Sequence, residues 1–301
     1  MTNIVLLVVC FLAGMILRRT GRFPDSTPAA LNGFIIHVSL PAVALLHIHD
    51  LRLDLSLLYS AAMAWFLFGA GALIFRVAGR LAALPRETTG ALMLVGGLGN
   101  TSFVGLPMIE AYYGKEFLGI GLIADQLGSF LVLSTLGILT ATLYSSGDVS
   151  VRQIARKIIY FPPFQALILA FLLKPVPFHP VAVAVLQKVG DTLTPLALAS
   201  VGFQLQLSHM RGELKPLSLG LLYKLALGPA LITLLFVGIL GGSGPVMQVT
   251  LFEAAMAPMI SAGIIAVDHR LNPPLVALMV GIGIPLSFVT LPVWWWLLRG
   301  V

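Results

Sequence analysis

The sequence predicts an all-α integral membrane protein of ten transmembrane helices, and three observations lead there. Of its 301 residues 58% are apolar and only 10% charged, against roughly 45–50% and about a quarter in soluble domains. The apolar residues gather into runs long enough to cross ~30 Å of hydrocarbon. Turn residues and cations punctuate those runs so as to separate ten of them. The net charge of +6 does not point to nucleic acid, because the 18 Lys and Arg stand singly or in threes between the runs, with no basic tract. Cys10 is the one cysteine and lies inside the first run, which excludes a disulfide framework or a cysteine metal cluster.

The spans are predicted near 3–17, 28–47, 56–78, 90–113, 117–144, 160–174, 180–205, 216–240, 245–268 and 275–298. The first has its cations Arg18, Arg19 and Arg22 after the apolar run and no small-residue cleavage site, so it is an uncleaved helix and not a signal peptide. The loops after spans one, three, five, seven and nine carry Arg18, Arg19, Arg22; Arg76, Arg80, Arg86; Arg152, Arg156, Lys157; Arg211, Lys215; and Arg270, twelve cations in all. The opposite side holds four, Arg52, Lys115, Lys174 and Arg299, while Lys188 and Lys224 fall within spans seven and eight. Since cation-rich loops stay cytoplasmic, both termini are expected outside the cytoplasm of the cell inner membrane. Trp294, Trp295 and Trp296 end span ten, where indole rings anchor at the outer interface.

The polar stretch Ser145 to Arg156 divides the ten spans into five and five, and an odd number per half inverts one half relative to the other. Residues 1–148 and 149–301 are thus expected to form two inverted repeats. Span two reads "SLPAVALLHI" around Pro41 and span seven "LTPLALASVG" around Pro195. Span four, "GALMLVGGLGNTSFVGLPMIEAYYG", and span nine, "VMQVTLFEAAMAPMISAGIIAVDHRL", are each interrupted midway by glycine or proline with small polar residues. Broken segments at matching positions of inverted halves point to a transporter binding site. Backbone groups freed in hydrocarbon cost several kcal/mol each unless protein, water or a ligand satisfies them. Half-helix N-termini at such a break favour an anion, and unwound carbonyls a cation.

The predicted substrate-binding residues are therefore Gly99, Asn100, Thr101, Ser102, Pro258 and Ser261, with Asn100 roughly 15 Å deep at ~1.5 Å per residue. A proline kink whose polar residues bond their own backbone would explain span four alone; the paired break in span nine favours a crossing at the midplane. Asp125 and Gln126 in span five lie at similar depth, and a carboxylate there costs at least ~2.5–3.5 kcal/mol, which favours function over a structural hydrogen bond to the broken helix. Lys188 and Asp191, three residues apart on one helical face, are candidates to neutralise each other, in a structural or a coupling role. Lys224 and Glu253 each need a partner and are candidates for each other. With Asp125, Gln126, Lys188 and Asp191, Glu253 completes the candidate coupling or support set. Glu110 is expected to reach the headgroups and His37 to pack. His47 and His49 stand at a span end beside Asp50, and no metal site is assigned there. The sequence holds no zinc-protease helix, nucleophile elbow or phosphate-cradling loop, so an enzyme is the weaker class.

The segment "GNTSFVGLPMIEAYYG" (99–114) resembles the Asn-Thr-x-x-x-Gly-[Ile/Leu]-Pro segment of the auxin efflux carrier family, which includes bacterial organic-acid permeases. The likeness continues through "LNGFIIHVSLPAVAL" (31–45), "ADQLG" (124–128), "TPLALASVGFQL" (194–205) and "AVDHRLNPPLVALMVGIGIPLSFVTLP" (266–292). The resemblance implies two inverted five-helix repeats, a scaffold half and a mobile half, and a homodimer. It matches the family's crossover asparagine to Asn100, its motif glycine and proline to Gly105 and Pro107, and its span-five glutamine to Gln126. Gly99 stands where plant carriers have proline, and Pro258 aligns with the span-nine proline only within about one residue. The expectation is a secondary transporter for a small organic anion, dicarboxylate-like or auxin-like, working by alternating access. H+ or Na+ is the candidate coupling ion and membrane lipid a further partner, with no cofactor and no nucleic acid. A cation/proton antiporter is the alternative, and an intramembrane enzyme the remoter one.

Overall fold

The computed structural model describes residues 2–145, 151–205 and 213–301. Helices dominate: α1 (Thr2–Arg19), α2 (Thr27–His49), α3 (Leu57–Leu81), α4 (86–96), α5 (101–112), α6 (Lys115–Tyr144), α7 (Val151–Ile159), α8 (Pro162–Leu173), α9 (Pro180–Gln204), α10 (Leu214–Ile239), α11 (Pro245–Ala254), α12 (Ile260–Asp268) and α13 (Pro273–Leu298). Among the described residues there is no β-strand, only one isolated bridge. Helical segments cover each of the ten predicted stretches. Six of them, α2, α3, α6, α9, α10 and α13, are long and apolar enough to cross a membrane. Span four is divided into α4 and α5, and span nine into α11 and α12. The repeat boundary at 148/149 and Arg211 lie outside the described residues, as does the Lys157 side chain.

Wide π turns interrupt several helices, at 35–39, 92–96, 101–105, 124–130, 133–137, 223–227 and 234–239. In α10 a cause is visible. Pro229 has no N–H to give to the carbonyl four residues earlier, and that carbonyl, Leu225 O, accepts instead from Trp294 Nε1 at 2.8 Å. The indole N–H of Trp294, expected to sit at an interface, is thus engaged by a neighbouring helix. Its neighbour Trp295 carries the Arg299 guanidinium 3.7 Å from its ring centroid, and Trp296 is exposed.

The chain forms two compact units, each drawn from both halves of the sequence. The first comprises Met1–Asp54, Ser102–Leu122 and Ala155–Leu205. Here α1 and the second half of α9 meet backbone to backbone. A Cβ on Gly14 would stand 2.0 Å from Ala199 O, and one on Gly202 would stand 2.1 Å from Phe11 O. Small residues give this close approach where lipid offers no hydrophobic drive between helices. Polar pairs add register: Ser200 Oγ donates to Asn32 Oδ1 at 2.6 Å, and the Ser39 and Thr192 hydroxyls share a bond of 2.7 Å. Lys174 closes the end of α2, donating to His49 O at 2.9 Å and Leu51 O at 2.5 Å, a cation on a helix C-terminus.

The second unit comprises Leu55–Thr101, Ile123–Ile154 and Gln206–Val301. Its interior is built on α3, where Gly71 leaves room for the buried Tyr223 ring, whose hydroxyl donates to Leu67 O at 2.5 Å. Ser60 and Thr250 share a buried hydrogen bond of 2.5 Å. Asn272 enters α13 in the left-handed conformation, φ 42°, accepting from Leu275 N at 3.1 Å and donating to Thr88 Oγ1 at 2.9 Å. These contacts fix the elements that carry the two helix breaks.

Candidate functional site

Between α4 and α5 the chain runs unwound through Leu98, Gly99 and Asn100, and between α11 and α12 through Met256, Ala257, Pro258 and Met259. The two unwound stretches pair as an antiparallel bridge, Gly99 opposite Pro258. Asn100 N donates to Ala257 O at 2.8 Å, and Met259 N donates to Leu98 O at 3.2 Å. Each break thereby satisfies backbone groups of the other, which meets the cost of opening a helix away from water. Two glycines stand close around the bridge, Gly283 with no room for a Cβ and Gly99 with little. A Cβ on Gly283 would lie 2.6 Å from the Pro258 ring, and one on Gly99 would lie 3.3 Å from Lys224 Nζ.

Buried polar side chains surround the bridge. Asn100 is 2% exposed and Thr101 1%. Thr101 Oγ1 donates to Asp125 Oδ1 at 2.6 Å, and Gln126 Nε2 donates to Asp125 Oδ2 at 2.5 Å. Asp125 thus accepts on both oxygens and ties the start of α5 to α6. The Asp125 and Gln126 positions fall in one π turn, 124–130, a device that re-aims side chains and recurs at functional sites.

Lys224, fully buried in the π turn 223–227, donates to Ala254 O at 2.8 Å. It places its amino group on the C-terminal end of α11, where the helix dipole favours a positive charge. Glu253, one residue before that carbonyl, is also fully buried, and neither of its carboxylate oxygens has a hydrogen-bond partner among the described residues. Lys224 and Glu253, candidates for each other, make no direct ion pair among the described residues; the hydrogen bond found for Lys224 goes to the helix end. Glu253 nevertheless lies within electrostatic range of both Asp125 and Lys224. Gln126 Oε1 and the hydroxyls of Ser129 and Ser134 are likewise buried without partners among the described residues.

Of the remaining predicted residues, Ser261 is one position into α12 and half-buried, and Ser102 is half-buried in the first unit. Lys188 and Asp191 also belong to the first unit, and they do not pair. Asp191 receives Lys115 Nζ at 2.5 Å and Gln187 Nε2 at 3.0 Å, while Lys188 is exposed. One lysine explains the change: Lys115 reaches Glu110 at 3.7 Å as well, so it serves two carboxylates at once. Glu110, expected to reach the headgroups, accepts from Thr194 Oγ1 at 2.6 Å. His37 Nδ1 lies 2.9 Å from Gly33 O on an exposed face. His49 engages Asp50 at 2.7 Å and Val176 O at 3.0 Å. Among the described residues, no cluster of three His, Cys, Asp or Glu is positioned to hold a metal. Sequence reasoning left Lys224 out of the site. An ammonium inside an apolar run was the available signal, but its carbonyl partner exists only because span nine breaks at Ala255.

Two archaeal proteins resemble the chain over nearly its full length. An uncharacterized transporter of Methanothermobacter thermautotrophicus is 26% identical over 296 residues, covering 95% of this chain and 94% of the relative. The uncharacterized transporter MJ1031 of Methanocaldococcus jannaschii is 22% identical over 307 residues, covering 99% and 98%. A family model described as "Membrane transport protein" matches residues 1–295. With apolar helices long enough to span a bilayer, the chain is a multi-pass membrane transporter and belongs to the membrane transport protein family, the auxin efflux carriers that its sequence resembles.

Proposed function

We propose that the protein is a secondary transporter that moves a small organic anion, dicarboxylate-like or auxin-like, across the cell inner membrane by alternating access. The observation that carries this reading is the bridge Gly99–Pro258 with Asn100 and Lys224 buried beside it. In this reading the breaks lie near the bilayer midplane, where the two inverted repeats, 1–148 and 149–301, cross. The Asn100 amide and the half-helix N-termini at Thr101 and Ile260 bind the carboxylate, and Lys224 supplies the positive field. Ser261 completes the polar lining. Both termini face outside, and the working assembly is a homodimer.

Glu253 is the favoured coupling group, ahead of Asp125. Asp125 already accepts two hydrogen bonds that hold α5 to α6, whereas Glu253 has no such bond among the described residues and is free to bind or lose H+ as the site alternates. The exposed Lys188 is assigned no coupling role, and Asp191 joins Lys115 and Glu110 in a supporting network. The second reading, a cation/proton antiporter, draws on the two buried carboxyls Asp125 and Glu253 in place of the anion site.

Uptake of radiolabelled malonate or malate into proteoliposomes, with and without imposed pH and sodium gradients, tests the proposal. Saturable accumulation of unaltered solute supports it. Exchange of Na+ for H+ without anion movement would favour the antiporter.

A further inference from the structure

At the end of α3, away from the helix breaks, three arginines converge. Arg76 and Arg80 are four residues apart on one face of α3, and Arg86 opens α4 after a short turn. They line a pocket of about 600 Å³ together with Thr89 and Tyr144. Arg76 and Arg80 repel each other at this spacing, yet no carboxylate lines the pocket. None of the three is in an ion pair among the described residues. The pocket is shaped and fixed. Arg86 donates to Leu143 O and holds its guanidinium 5.8 Å from the Tyr144 ring centroid. A Cβ on Gly79 would stand 2.6 Å from Thr89 Oγ1, so α3 and α4 close tightly on one side. The turn passes through Ala83 at φ 48°, a left-handed conformation unfavourable for alanine, and Ala83 also borders the pocket.

We propose that this pocket binds a phosphate group of net negative charge, one not offset by a cation in the same molecule. Guanidinium forks match phosphate oxygens bidentately, and three uncompensated cations suit a phosphate better than a single carboxylate. The volume exceeds what one inorganic phosphate fills, leaving room for an ester substituent. By the loop-charge rule this end of α3 faces the cytoplasm, where anionic headgroups attract arginines at the membrane surface. The ligand chemistry is shared by a phospholipid headgroup and by a soluble phosphate, and the two are separable by experiment.

The test is thermal unfolding of the purified full-length protein in detergent, titrated separately with phosphatidylglycerol, phosphatidylcholine and inorganic phosphate. The wild type is expected to gain stability with phosphatidylglycerol and not with phosphatidylcholine. Arg76→Gln/Arg80→Gln is expected to weaken the apparent affinity by at least about tenfold, while the charge-matched Arg19→Gln/Arg22→Gln retains it. An equal response to inorganic phosphate assigns the site to soluble phosphates, and a response to phosphatidylglycerol alone assigns it to a headgroup. An identical response of wild type and Arg76→Gln/Arg80→Gln overturns the proposal, as does an equal effect of phosphatidylcholine. Should the glutamine variant fail to fold, Arg76→Lys/Arg80→Lys keeps the charge and removes the fork; weakened binding supports the site and unchanged binding contradicts it.

Discussion

The backbone amide of Asn100 donates to the carbonyl of Ala257 at 2.8 Å, joining two helix breaks that are more than 150 residues apart in the chain. The bond uses main-chain atoms only. This bond does not depend on which side chain residue 100 carries, so substitution there leaves it in place and probes the side chain's own contribution.

Gly283 tests how closely the bridge is confined. Its substitution by alanine places a methyl 2.6 Å from the Pro258 ring, and overpacking of this kind costs about 1–3 kcal/mol. Gly283→Ala should lower the melting temperature in detergent and reduce transport. Gly69→Ala, where a Cβ meets nothing within 4 Å, should be neutral or stabilising. Equal melting of the two variants would show that the bridge tolerates displacement.

The α1–α9 contact makes a separate prediction. At Gly202 the obstructing atom is Phe11 O, a backbone atom that cannot swing aside. Gly202→Ala should cost about 1–3 kcal/mol or more, read as lost monodisperse protein on size-exclusion chromatography, with Gly14→Ala similar. Gly33→Ala, on α2 with open space around it, should leave the yield unchanged.

Coupling separates the two buried carboxyls. Glu253→Gln keeps the shape and removes the exchangeable charge, so it should retain solute exchange and lose accumulation driven by a pH gradient. Asp125→Asn replaces one acceptor oxygen by a donor facing Thr101 or Gln126, so it should impair both exchange and accumulation. Accumulation by Glu253→Gln with unchanged pH dependence would remove Glu253 from the coupling role.

Much of the fold was legible because apolar runs and their punctuation are local properties. Helical segments fall in each predicted stretch, six of them long and apolar enough to cross a membrane, and both breaks fall where glycine and proline interrupt spans four and nine. Partnerships were less legible. Lys188 and Asp191 share a helical face by spacing, but Lys115, 76 residues earlier, takes the carboxylate. Lys224 looked like a partner for Glu253, and it is held by Ala254 O. A tryptophan at a span end suggests an interface anchor, but the hydrogen-bond partner of Trp294, the carbonyl freed by Pro229, is not legible from its position. In each case the deciding partner is distant in sequence, and spacing along one helix carries no information about it.

Topology is checked by labelling in a Cys10→Ser background. Cysteines at Arg22 and Arg152, both exposed, should react only from the cytoplasmic side, and one at Ser243 only from outside. Outside labelling at Arg152 would invert the second half of the arrangement.

The most direct test of the central claim is solute counterflow by Asn100→Ala in proteoliposomes, beside wild type at matched protein content. The variant is expected to purify with a melting temperature close to wild type, since the Asn100–Ala257 backbone bond survives, while its counterflow of labelled dicarboxylate falls to the level of empty liposomes. Wild-type counterflow in a well-folded Asn100→Ala protein would contradict the assignment of the bridged helix breaks as the solute site.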